Sequence, residues 1–364
     1  MRFYKNSFIG DWLITILIIL LFFIGILTLY SSTKISNIYF KNFFLKQCFG
    51  IITGFIISFF ISKISYKKII NWGSFFHYIT LFLLLLTLLK GSIAMGAKRW
   101  ISLGFFKIQP SELAKITLPL WVSNNFSKNI LEEFKTKDWL KTLSMIFFTG
   151  ILIFKQPDLG SAIVVSASAL LMIYIAGIPK KFIYSFFFLF LTATPIIWNF
   201  ILHDYQKKRI FVFLGGGSAH KERYQIEQSK IAIGSGGLKG KGFLNGTQKN
   251  LKFLPENHTD FICAVLAEEF GFLGTSLILI IYLLIILRLK MQSLFIDEIY
   301  GYILSVGIIL PFIVSTIGNM GMVAGLLPIV GIPLPCMSYG ISHTWSTLFM
   351  IGILNSILKE KNDF

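Results

Sequence analysis

Long apolar runs alternate with short, cation-rich joints along the whole chain. Ten runs predict helices at roughly 9–30, 44–62, 74–89, 111–126, 139–154, 160–177, 182–202, 273–290, 299–320 and 338–358. A run of about 20 apolar residues crosses a hydrocarbon core of about 30 Å at 1.5 Å per residue. Within the runs the apolar residues are continuous rather than alternating. Only helices or closed barrels satisfy their backbone in lipid, and this pattern selects helices. The expected fold is therefore all-α, a polytopic integral membrane protein with about ten transmembrane helices. It is expected to form a single membrane domain over residues 1–364. The basic start Met1–Asn6 resembles a signal peptide, but Leu13–Tyr30 is span-length and no small-residue cleavage site follows, so a retained first helix is expected.

Composition agrees: 55% of the 364 residues are hydrophobic and only 14% charged, against ~25% charged in soluble domains. The net charge of +17 would suit nucleic acid, but the cations lie in the joints between spans. They read instead as a positive-inside bias and attraction to anionic headgroups, with no nucleic-acid partner. An even helix number puts both termini on one side. With both in the cytoplasm, the short inner segments hold 15 Lys and Arg and the short outer ones 8. The segment between helices seven and eight, about 203–260, holds 10 more and becomes a large extracytoplasmic loop; counting it would reverse the balance. Three cysteines (Cys48, Cys263, Cys336) and five scattered histidines match no metal-ligand spacing. No metal or other cofactor is identified, and a divalent-cation requirement is left open.

The long loop is rich in glycine and cations: Gly215–Gly217, then Gly234-Ser-Gly-Gly-Leu-Lys-Gly-Lys-Gly242. A phosphate loop would need glycine at Ser235 and Ser or Thr at Gly242, and a dinucleotide fingerprint from Gly240 fails at Asn245. Long segments without secondary structure are seldom kept without a use.

Several residues carry candidate chemistry. Asp158, in Lys155-Gln-Pro-Asp-Leu-Gly160, suits a helix cap after a proline break, or a functional acid. Glu112 and Lys115 lie three apart at the start of helix four, on one face, after Gln109-Pro110-Ser111. Intramembrane charges are expensive, so they form a structural ion pair, line a polar cavity, or both. Lys98-Arg99-Trp100 suit an interfacial anchor or recognition of a lipid diphosphate. Asp260 ends Leu254-Pro-Glu-Asn-His-Thr-Asp260, which includes His258; an acid at a membrane mouth fits a general base or a helix cap. Glu268 and Glu269 either line a cavity or pair with loop cations. The three prolines of Gly325–Pro335 exclude a continuous helix and suggest an irregular segment beside the site.

Together these segments resemble the SEDS family (shape, elongation, division and sporulation). The resemblance rests on Gly96-Ala-Lys-Arg-Trp100, Gln109-Pro-Ser-Glu-Leu113, Gln156-Pro-Asp-Leu-Gly160, Tyr224-Gln-Ile through Gln228-Ser229, Pro255-Glu-Asn-His-Thr-Asp-Phe261, and Gly325-Leu-Leu-Pro through Ser338-Tyr-Gly340. It covers most of the chain after residue 90, in order. Ser229–Leu238, Gly246-Thr-Gln248 and Leu266–Gly271 look like the RodA (elongation) branch rather than the FtsW (division) branch. The resemblance implies a peptidoglycan glycosyltransferase of the bacterial cytoplasmic membrane. It would polymerise lipid II on the outer face during elongation and cell-shape maintenance. Its implied partners are a class B penicillin-binding protein and other membrane proteins of the elongation machinery. It also implies that Asp260 is the essential acid, Glu112 and Lys115 the charged pair, and Trp100 the sensitive outer tryptophan. One departure stands out: Ile341-Ser342-His343 follows Ser338-Tyr-Gly340 where the family has Gly-Ser, which is expected to alter the packing of helix ten.

On that reading Asp260 takes the proton of the acceptor hydroxyl, while Lys98, Arg99, Arg209 and loop lysines offset the charge of the leaving diphosphate. One base without a covalent intermediate implies inversion. The rival readings are a lipid II flippase and a non-catalytic scaffold; no inverted repeat of the transporter kind is seen.

Overall fold

A computed structural model describes residues 11–362 apart from 34–36, 95–96, 103, 105, 129–133, 203, 214–215, 217–219 and 252. The basic start of the chain, Gly96, His203, Gly215 and Gly217 thus lie outside the described residues.

The ten apolar runs all form helices: α1 (Trp12–Thr33), α2 (Asn37–Ile61), α3 (Tyr66–Lys90), α4 (Pro110–Lys128), α5 (Thr136–Phe154), α6 (Leu159–Ile175) and α7 (Lys180–Ile196, continued by a π-helical turn, Ile197–Ile201), then α11 (Ile262–Ser293), α12 (Ile299–Val323) and α13 (Ile341–Asn362). Among the described residues, seven helices are long and apolar enough to cross a membrane: α1, α2, α3, α7, α11, α12 and α13. The chain is a multi-pass membrane protein. The other three are shorter or more polar. Glu112, Lys115 and Lys128 lie in α4, three charges open α5, and α6 has only 17 residues. Polarity is tolerated in α4 because α3, α6, α12 and α13 pack around it, burying most of its residues.

Two apolar cores hold the bundle. One joins α1, α11, α12 and α13; the other joins α3 to α6 with Ile303 of α12. Outward-facing Phe, Leu and Ile on α1, α3, α7 and α11 are exposed, as lipid-facing surfaces require.

The segment expected as a long loop contains α8 (Asp204–Phe213), α9 (His220–Gly236) and a single turn, α10 (Thr247–Asn250). The eighth apolar helix also begins at Ile262 rather than near 273, because α11 runs 32 residues through a kink at Gly271 (φ +65°). The glycine run accounts for the early start of α11. Its backbone docks on the kink: Lys241 N–H donates to Glu268 O (3.0 Å), Gly242 N–H to Glu269 O (3.0 Å), and Phe272 N–H to Gly237 O (2.8 Å). A Cβ at Gly240 (φ +79°) would overlap the Glu269 carbonyl. Glycine is thus required for close backbone approach, not for phosphate.

Glu268 and Glu269 pair with loop cations. Glu268 accepts from Lys241 (2.7 Å) and from Thr247 N–H (2.8 Å). Glu269 pairs with buried Lys249 and accepts from the Ser31 hydroxyl of α1 (2.5 Å). Two carboxylates inside a membrane protein persist here because each has a cation and further donors.

Between α3 and α4 a small antiparallel sheet, β1 (Ser92–Ala94), β2 (Ala97–Ser102) and β3 (Lys107–Ile108), departs from the all-helical expectation. It places Trp100 opposite Ser92, and Ile101 opposite Ile108.

Candidate functional site

Asp260 is the last residue but one before α11, in a turn closed by Thr259 N–H and Phe261 N–H, both donating to Glu256 O (3.2 Å each). Three neighbours fix the turn. The Ser338 hydroxyl donates to Thr259 O (2.7 Å), Tyr339 N–H to His258 O (3.0 Å), and the Asn319 amide of α12 to Asp260 O (2.8 Å). The irregular segment Gly325–Pro335 lies beside it, as expected. Gly331 (φ +73°) runs against the carboxylate: a Cβ there would sit 3.4 Å from Asp260 Oδ2.

The Asp260 side chain keeps part of its surface open, yet protein packs closely around it. Burial is the main force on its acidity, raising the carboxyl from 3.8 to about 6. The Glu256 carboxylate raises it further, Arg209 and Arg99 pull it down, and Asp158 adds a smaller upward push. Asp260 is therefore a carboxylate of raised basicity in a field of two arginines and two acids. It is mostly ionised at neutral pH and remains a competent base.

Arg99 reaches this region from β2 but is already engaged. Its guanidinium donates to Gln156 O (3.2 Å) and Pro157 O, with one nitrogen 3.8 Å from Asp158 Oδ1. Buried Asp158 caps α6 by accepting from Ser161 N–H (3.2 Å). It also accepts from Gln109 Nε2 (2.7 Å) and the Ser111 hydroxyl (3.2 Å) at the start of α4. The Gln109-Pro-Ser and Gln156-Pro-Asp motifs are thus two halves of one junction, clamped by Arg99. Arg209, half-buried on α8, is the other cation whose charge reaches Asp260. Lys98 is exposed, and half-buried Trp100 accepts at its carbonyl from the Ser92 hydroxyl (3.0 Å). The His258 ring packs against Phe43 and Tyr339, with centroids 4.9 and 6.0 Å away. Burial lowers its proton affinity, and Glu256 partly opposes this.

Glu112 and Lys115 form a separate buried centre, paired at 2.6 Å. The second Glu112 oxygen accepts from the Ser346 hydroxyl (2.8 Å) and lies 3.1 Å from His343 Nδ1. Both partners come from α13. The segment Ile341-Ser342-His343 is therefore built into this centre. Ser342 accepts from Gln109 N–H (3.2 Å) and donates to Lys107 O (2.9 Å). Ile341 packs on Gly50 of α2, where a Cβ would already be 3.4 Å from its side chain. No group of three or more His, Cys, Asp or Glu able to hold a metal ion occurs among the described residues.

The sequence reading did not single out Asn319, Glu256, His343 or Ser346 as site residues. The signal available for Asn319 and His343 was a hydrogen-bonding side chain in an otherwise apolar helix, which is costly unless partnered.

Residues 11–363 match the family model described as "Cell cycle protein", FtsW/RodA/SpoVE. The chain belongs to this family. It is 39% identical over 305 residues to the peptidoglycan glycosyltransferase MrdB of Escherichia coli K12, covering 84% of this chain and 82% of that one. It is 37% identical to the protein of the same name from Helicobacter pylori, over 96% and 90% of the two chains. These relatives place it on the RodA branch. Stage V sporulation protein E of Bacillus subtilis is 34% identical, over 95% and 96%. The same fold occurs in a chain of a solved structure titled "Structural coordination of polymerization and crosslinking by a peptidoglycan synthase complex". That match has TM-score 0.82 and 24% identity, over 97% and 98% of the chains. The fold also occurs in the rod shape determining protein RodA of Thermus thermophilus (TM-score 0.72, 24% identity, 97% of each chain).

Proposed function

We propose that this family member is a peptidoglycan glycosyltransferase that polymerises lipid II into glycan strands, with Asp260 as the general base. The observation that carries the reading is a single partly open carboxylate of raised basicity, within reach of the charges of Arg99 and Arg209. An acceptor hydroxyl attacks poorly until a base takes its proton, a step worth ~10²–10⁴-fold. The donor leaves with a diphosphate, which needs positive charge more than an acid. Arg209 and Arg99, whose charges both act on Asp260, are the candidates to meet the diphosphate, with Lys98 at the rim. A single base and no covalent intermediate give inversion, unlike the paired carboxyls of glycosidases. Trp100 and His258 would shape the approach to the base, and the Glu112–Lys115 pair would hold α4 and α13 together beneath it.

On this reading the Asp260 end of the bundle and the segment 203–260 face outward, and both termini lie in the cytoplasm. Whole-chain similarity to a chain from a peptidoglycan synthase complex supports a transpeptidase partner, a class B penicillin-binding protein. The test is polymerisation of labelled lipid II by purified protein, with and without that partner, comparing wild type with Asp260→Ala. Polymer from wild type alone is expected. Polymer from both would remove Asp260 as the base. Transbilayer movement of precursor without polymer would favour a flippase.

A further inference from the structure

Asn319 lies on α12, fully buried, outside the acids and cations assigned above. Its Nδ2 donates twice, to Asp260 O at 2.8 Å and to Ile332 O at 2.7 Å. Both acceptors are main-chain carbonyls outside regular helix. One belongs to the turn that carries the acid, the other to the irregular segment that passes against the acid's carboxylate at Gly331. A single amide group thus joins α12 to both walls around Asp260.

The orientation of that amide follows from its surroundings. Rotated by half a turn, its oxygen would face two carbonyl oxygens. As placed, Oδ1 has no partner among the described residues. A buried acceptor left unbonded is costly, so the residue is explained by its two donors. The Asp260 carbonyl needs one of them, because the first helical bond of α11 runs from Ala264 N–H to Phe261 O. Ser338 already holds the preceding carbonyl, that of Thr259. Gly318, one residue before Asn319, packs directly on Ile332: a Cβ there would be 2.9 Å from the Ile332 side chain. The irregular segment therefore has little room to slide except by breaking the amide bonds.

We propose that Asn319 is a positioning residue that sets the distance between the Asp260 turn and the Ile332 segment, and so aims the carboxylate at the acceptor hydroxyl. The catalytic part of this statement rests on the polymerase reading; the clamp itself does not. A base acts only within hydrogen-bond reach of its proton, and a displacement of about 1 Å costs on the order of 10²-fold.

The experiment uses the full chain in nanodiscs, with the penicillin-binding partner present for kinetics. Asn319→Leu removes both donors at similar volume, and Asn319→Asp replaces them with acceptors. Ile146→Ala, in the distant core between α5 and its neighbours, serves as a destabilised control. Two readouts are taken. Amide hydrogen exchange should rise together at residues 256–262 and 329–334 in both Asn319 variants, and not in Ile146→Ala. Polymerisation of labelled lipid II should lose about 10–100-fold in kcat, with KM changed less than twofold, in the order wild type, Leu, Asp. Unchanged exchange at the two segments overturns the clamp, whether or not the protein polymerises. Raised exchange with unchanged kcat, a loss entirely in KM, or the same loss in Ile146→Ala overturns the positioning role. Absence of polymer from wild type overturns the polymerase reading and the catalytic part, while the exchange data still judge the clamp.

Discussion

Asp260 should make the protein less stable at the pH where it works. Its carboxyl is raised from 3.8 to about 6, chiefly by burial. At ~1.4 kcal/mol per unit this corresponds to about 3 kcal/mol. Part of the side chain is open, and solvent screening reduces that to ~1–2 kcal/mol. For an acid raised in the fold, the folded state holds its proton more tightly than the unfolded chain. The stabilising contribution is therefore full below pH 3.8 and is lost as pH rises through about 6. Asp260→Asn carries no charge at any pH and escapes the loss. In thermal unfolding of purified protein in nanodiscs, the variant should melt a few degrees above wild type at pH 7.5. The gap should shrink to about a third at pH 4.5 and close only below pH 3.8. The same ionisation sets the acid limb of wild-type polymerisation, which should fall about tenfold per unit below pH 6. An equal gain in melting temperature at both pH values would show that the amide merely packs better. A variant less stable than wild type at pH 7.5 would refute the argument, since the charge would then be net stabilising.

The neighbouring charges give further tests. Glu256→Gln should move that acid limb down by on the order of one unit, and Arg209→Gln should move it up, because the two side chains push the Asp260 carboxyl in opposite directions; pH–rate profiles of the two variants decide this. Lys115→Met leaves the Glu112 carboxylate buried with only Ser346 and His343, at a cost of about 3–5 kcal/mol. The double change Glu112→Gln with Lys115→Met should recover most of the folded yield, measured by size-exclusion of detergent-solubilised protein. Gly240→Ala places a Cβ on the Glu269 carbonyl at a positive φ, so limited proteolysis should cut the segment 237–253 faster than in wild type while sparing the helices.

The apolar runs were legible because a span must be continuously apolar, and all ten became helices. What could not be read was anything whose explanation lay far away in the chain. Glu268 and Glu269 lie in a helical stretch too long for one span, and only its span-length part, from about 273, reads as the eighth helix, whereas the helix begins at Ile262. They are helical because Lys241 and Lys249 neutralise them and the glycine run covers the kink. The same glycines match neither the phosphate-loop nor the dinucleotide pattern for a reason visible only in three dimensions: their partner is a helix backbone. Helices α8 and α9 escaped notice because their charged sequences carry no span signal.

The candidate site divides along the same line. The acid, the ion pair and the proline-rich segment announced themselves by residue type in a place where charge and broken helix are expensive. Their supports did not. Asn319 is one amide in an apolar helix, and its two acceptors are backbone atoms that any residue could supply. The departure at Ile341-Ser342-His343 shows why a local substitution does not by itself predict a local loss. Ile341 adds bulk where a glycine was expected, but it meets Gly50 on α2, so the space is provided from the other side of the interface. Ser342 binds the entry to α4, and His343 contributes a nitrogen to the oxygen of Glu112 that Lys115 does not occupy. The segment that looked like lost bending therefore reads in the fold as a tighter seam between α13, α2 and α4. Ile341→Gly should consequently open a cavity against Gly50 and lower the melting temperature of this chain.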